Sequence, residues 1–148
     1  MRNFGQADPG RVPTLGRMAA IPYMKYEDVA RALDWLSEAF GFTERERFAH
    51  PEGPVFHAEM LTPAGDPVYL AGPGDDYRSP ARTGHLNAMV SVDVEDVDAQ
   101  YRRAQAAGAK LVFPPTDTPQ GTRVCKVEDH EGQEWFFSQK LTATGQRT

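Results

Sequence analysis

The chain has 148 residues, 40% hydrophobic and 25% charged, with a formal net charge of -5. That balance belongs to an ordinary globular protein, one compact domain or two small fused modules. The acidic excess argues against non-specific nucleic-acid binding, which needs a positive surface to displace counterions. Cys125 has no second cysteine to pair with, so a reducing cytoplasm is the expected compartment. No apolar run is long enough to span a bilayer, and the N-terminus lacks the apolar core of a signal peptide.

In chain order, residues 1–16 carry Gly5, Pro9, Gly10 and Pro13 among few large apolar side chains and read as a flexible arm. A strand is expected from Met18 to about Tyr26, at a sheet edge because Pro22 cannot donate to a ladder. Val29, Leu33, Leu36 and Phe40 then recur at helical spacing, with Glu27 and Asp28 in the first turn and Gly41 as the stop. Three strands follow: Glu44 to Ala49, Val55 to Leu61 and Pro67 to Ala71. In the second of these, Phe56, Ala58 and Met60 share one face, and His57 and Glu59 share the other. Residues 72–83 read as a linker.

The second half repeats the first. A strand is expected from His85 to Val94, with Val90, Val92 and Val94 on one face. Glu95-Asp96-Val97 opens a helix as Glu27-Asp28-Val29 did, and Gly108 closes it. A short strand near Leu111 to Phe113, a loop through Pro114, Pro115 and Pro119, and strands Thr122 to Glu128 and Glu134 to Lys140 complete the unit. In the last strand Trp135 and Phe137 alternate with Glu134, Phe136 and Ser138, so one face packs a core and the other lines something else. The fold class is therefore α+β: two βαβββ modules, 17–72 and 84–141, whose half-barrel sheets carry their helices on the outside. Residues 142–148 read as a tail.

Several side chains are candidates for chemistry. His57 and Glu59 project to one face as an acid/base pair, as two ligands of a metal with His85, or as plain polar surface. Arg123 is either an anchor for an anionic ligand group or half of a structural ion pair. Cys125 reads as a buried inert thiol, and Trp35, Trp135 and Phe137 as core. His130 reads as solvent-exposed.

Three stretches resemble the vicinal-oxygen-chelate superfamily of glyoxalase I, bleomycin-resistance proteins and extradiol dioxygenases. They are Tyr26-Glu27-Asp28-Val29 leading into Trp35 to Phe42, Val94 to Ala99 leading into Ala106 to Ala109, and Asp129-His130-Glu131-Gly132 before the last strand. Pro22-Tyr23 and His57-Ala58-Glu59 are similar to its glyoxalase-like branch. The resemblance implies paired modules, commonly a homodimer, and a cleft on the sheet faces. It also implies a divalent metal in many members. Here the corresponding positions fall on Ile21, Tyr69, Met89 and Phe136, with Glu134 and Asn87 as the nearest oxygen donors. Such a cation wants carboxylate oxygen or imidazole nitrogen, so no metal site and no cofactor are expected. The cleft set becomes Tyr23, Tyr69, Asn87, Met89, Arg123 and Phe136, suited to an apolar or aromatic ligand, or else a closed core filled by its own side chains. The expected function is binding of a small molecule without metal, with no membrane or nucleic-acid partner. The alternatives are a metal-dependent lyase, isomerase or dioxygenase using His57, Glu59 and His85, and a cofactor-free enzyme with His57 as general base.

Overall fold

The computed structural model describes residues 20–74 and 76–142. The expected N-terminal arm and all of the expected tail but Thr142 lie outside the described residues. The first module runs β1 (Tyr23–Lys25), α1 (Val29–Phe40), β2 (Thr43–Ala49), β3 (Val55–Leu61) and β4 (Pro67–Ala71). A one-turn helix, α2 (Pro80–Thr83), separates it from β5 (Met89–Asp93), α3 (Val97–Ala106), β6 (Lys110–Asp117), β7 (Thr122–Glu128) and β8 (Glu134–Lys140). Each module forms a four-stranded sheet, in the orders β1-β4-β3-β2 and β5-β8-β7-β6. Among the described residues only β1/β4 and β5/β8 pair in parallel, each crossover running through the module's helix and the hairpin that follows it.

Local sequence explains the repeat. Asp28 and Asp96 cap their helices, accepting from the backbone N–H of Arg31 at 3.0 Å and Ala99 at 3.1 Å. The cap corrects the expectation for α1: Glu27 and Asp28 precede its first turn rather than lying within it. One face of α1 buries Val29, Ala32, Leu33, Leu36, Ala39 and Phe40. Facing it are Ala58, Met60, Val68 and Leu70 from the first sheet, while Phe40 also packs edge-on against Trp135 and Phe137 of the second sheet. The two modules thus share one core. The helices also contact each other: Gln100 donates to the Phe40 carbonyl at 2.8 Å, and Arg103 donates to the carbonyls of Glu38 and Ser37 in the last turn of α1, the latter also accepting from the Gly41 N–H.

Other elements differ from expectation. β1 is only three residues, although it does lie at a sheet edge. The strand expected from His85 starts at Met89, because Thr83 ties down the His85 backbone at 3.1 Å and holds the chain in a turn after α2. β6 continues through Pro114 and Pro115, which an edge strand tolerates where its register slips. Phe56 is not core: it is 39% exposed and stacks on His50.

The largest difference lies in the β7–β8 turn. His130 is not exposed; its side chain is 6% exposed and sits between the rings of Tyr26 and Trp35. Burial pushes its pKa below the ordinary imidazole value, against the pull of Asp129. Around it the turn bolts the modules together. Buried Asp129 accepts from the Tyr26 hydroxyl at 2.6 Å, the Trp135 indole at 3.0 Å and the backbone N–H groups of Glu131 and Gln133. Glu131 accepts from the N–H groups of Glu27 and Asp28, at the positive end of α1. Gln133 donates to the Lys25 carbonyl at 2.9 Å.

Candidate ligand-binding cleft

Strand pairing sets which side chains share the sheet faces turned away from the helices. In the first sheet Tyr23 stands beside Tyr69, Tyr69 beside Glu59, and His57 beside Phe48. The rings of Tyr23, His57 and Tyr69 meet edge-on in all three pairings, at 5.4 to 5.8 Å. A hydrogen-bonded chain runs through them. Tyr23 Oη lies 2.5 Å from His57 Nδ1, His57 Nε2 lies 3.2 Å from Glu59 Oε2, and Arg45 donates to Glu59 Oε1 at 2.8 Å. The Arg45 hydrogen bond, assisted by His57, holds the Glu59 carboxyl below the usual carboxylate range, against the effect of burial. The chain becomes more exposed toward its phenol: the Glu59 and His57 side chains are 13% and 20% exposed, Tyr23 is 55%.

The second sheet presents a different face. Met89 stands beside Glu134 and Ser91 beside Phe136, which in turn faces Lys126. Lys126 pairs with Glu134 at 2.6 Å and lies 5.3 Å from the centre of the Phe136 ring, with Phe113 on the same aromatic patch at 6.0 Å. Met89 is 51% exposed. Between the modules a cavity of about 610 Å3 is lined by Tyr23, Lys25, Tyr77, His85, Asn87 and Gln133.

The structure therefore brings Tyr23, Tyr69, His57 and Glu59 together, places Met89 and Phe136 on the second open face, and sets Asn87 in the cavity beside Tyr23. Arg123 is elsewhere. It lies on the helix side of β7, in the alternation of Cys125 and Val127, and forms ion pairs with Asp98 of α3 and with Asp117. Those two carboxylates hold its guanidinium pKa further up, so the ion-pair alternative describes it. Arg45 and Lys126 were not among the expected site residues. Alternation with Cys125 and Val127 was enough to place Lys126 on the open face, whereas a bulge between Glu44 and Glu46 hides the direction of Arg45.

Among the described residues no three His, Cys, Asp or Glu side chains converge as metal ligands, His57, Glu59 and His85 included. No helix among the described residues is long and apolar enough to cross a membrane.

Paired βαβββ modules whose sheets are open on the side away from the helices define a recognisable class, and comparison with known proteins agrees. The profile of the Glyoxalase/Bleomycin resistance protein/Dioxygenase superfamily matches residues 24–137, and the chain belongs to that superfamily. It is similar to TioX from Micromonospora sp. ML1, at 36% identity and a TM-score of 0.67 over 85% of this chain and 98% of that one. An uncharacterized protein of Mycobacterium tuberculosis (strain ATCC 25618 / H37Rv) is 32% identical over 83% of this chain and 75% of its own length. A glyoxalase-related enzyme from Clostridium phytofermentans, at 16% identity, shares the fold with a TM-score of 0.65 over 90% of this chain and all of its own.

Proposed function

We propose that the protein binds an apolar or aromatic small molecule on these open sheet faces, without a divalent metal, in the manner of the glyoxalase and bleomycin-resistance type. The observation that carries this reading is the pair Tyr23 and Met89, each more than half exposed, Tyr23 beside Tyr69 and Met89 beside Glu134 on the sheet face that carries Phe136. Large apolar groups left open in a concave, partly polar setting are what a ligand pocket offers. Titrating the protein with planar aromatics while following Tyr and Trp fluorescence tests it. Saturable binding that weakens in Phe136→Ala is expected, and affinities unchanged by that substitution count against it. Elemental analysis of protein purified without chelator should give no stoichiometric metal. A homodimer is part of the proposal, and light scattering showing a monomer at micromolar concentration would remove it.

The Tyr23–His57–Glu59 chain favours a second reading, a cofactor-free enzyme in which His57 is the general base. Turnover lost in a folded His57→Ala variant would support it, once a substrate is found.

A further inference from the structure

The hydrogen-bonded chain in the first sheet has a direction, and that direction constrains the ligand. Arg45 has only donors, and it contacts Glu59 Oε1 at 2.8 Å. Glu59, held ionised by that contact, has only acceptors. The proton between Glu59 Oε2 and His57 Nε2 therefore belongs to the imidazole. A neutral imidazole protonated at Nε2 carries a lone pair at Nδ1. With the imidazole in that neutral form, Tyr23 Oη, 2.5 Å from Nδ1, donates its only proton there. What the phenol has left is its lone pairs. Tyr23 is 55% exposed and lines the cavity between the modules, so those lone pairs are available to whatever enters.

We propose that Tyr23 is a fixed hydrogen-bond acceptor in the cleft, and that the ligand is an aromatic molecule carrying a hydroxyl or N–H donor. The inference rests on the reading of the cleft as an aromatic-ligand site and adds the polarity of its handle. The same chain gives the selectivity. A ligand offering only an acceptor meets a phenol oxygen with no free proton, and neither side can form the bond. A donor completes a run of hydrogen bonds ending on a charged pair, where each bond polarises the next. His57 and Arg45 thus act as positioning residues for Tyr23.

A matched pair of probes tests this on the full chain: 2-naphthol, which donates, and 2-methoxynaphthalene, which has nearly the same shape and cannot. Isothermal titration at neutral pH should find 2-naphthol about tenfold tighter, the difference one hydrogen bond makes. Tyr23→Phe should abolish that preference. His57→Phe should shrink it, because the freed Tyr23 proton can then turn toward the methoxy oxygen. Circular dichroism confirms that both variants fold. Equal affinity for the two probes in the wild type, or a preference that survives Tyr23→Phe, overturns the inference while the cleft reading stands. Binding of neither probe overturns both.

Discussion

The β3–β4 and β7–β8 turns are one local structure put to two uses. In each, the first residue's backbone N–H bonds the fifth residue's carbonyl, Thr62 to Asp66 at 2.8 Å and Asp129 to Gln133 at 2.9 Å. In each, the first residue's side-chain oxygen accepts from the fifth residue's N–H at 3.1 Å. In each, the fourth residue is a glycine at positive φ, 92° for Gly65 and 86° for Gly132. A Cβ on Gly65 would meet nothing, whereas one on Gly132 would come within 2.5 Å of the Ala81 backbone nitrogen. The first turn is a free corner. The second is the joint between the modules, carrying Asp129, His130 and Glu131 against β1 and α1. Local chemistry makes the turn, and the neighbours decide whether it bears tertiary load.

Substituting the first residue breaks that comparison most sharply. Asp129→Ala leaves the Tyr26 hydroxyl, the Trp135 indole and two backbone donors without their acceptor inside the core. We expect a loss of about 3–5 kcal/mol in urea unfolding, the scale of several buried donors orphaned together. Thr62→Ala removes one turn hydrogen bond and should cost about 1 kcal/mol. Equal losses in the two variants would mean that the second turn is no joint.

The glycines give a smaller contrast. Gly65→Ala faces only the conformational penalty of a side chain at positive φ, about 1–2 kcal/mol. Gly132→Ala adds the clash with the backbone at the start of α2 and should cost about 1–3 kcal/mol more. Thermal unfolding of both variants measures the difference, and identical melting temperatures would show that α2 yields freely.

These turns also mark how far the sequence could be read. The helices and the module repeat were legible in local patterns, although those patterns put Asp28 within the first turn of α1 rather than at its cap. The open faces were largely legible too, since alternation along a strand put His57, Glu59 and Phe136 away from the helices. What closes over a turn is not local. Asp129-His130-Glu131 reads as a surface corner until Tyr26 and Trp35 arrive from the other module. The Tyr23–His57 contact likewise depends on β1 pairing in parallel with β4, across most of the first module. Arg123 stayed open between ligand anchor and structural ion pair because its partners, Asp98 and Asp117, come from a helix and from another strand.

The smallest effect is expected at His130, and it depends on pH. Its two ring nitrogens are buried without hydrogen-bond partners, Nε2 lying 3.8 Å from Glu131 Oε2. Burial lowers its pKa in the folded state, so between that value and the ordinary imidazole value of about 6.5 the unfolded chain binds more protons than the folded one. The stability His130 contributes by staying neutral is then complete above about pH 6.5 and is lost as the pH falls through that value toward the folded one. Asp129 and Glu131 have the opposite shift, raised by burial, and both remain in a His130→Phe variant. Comparing the variant with wild type at each pH cancels the rest of the chain and reads the histidine together with its pull on the Asp129 carboxyl. At pH 7.5 the phenylalanine should match wild type or gain up to about 1 kcal/mol, because it stacks in the same slot and leaves no polar atom unpaired. Below pH 6 the variant should pull ahead as wild type loses stability and the variant does not share that loss. A gap between the two melting curves that stays constant from pH 7.5 to pH 5 would show that His130 takes up its proton within the folded joint, and that the turn opens more easily than its packing implies.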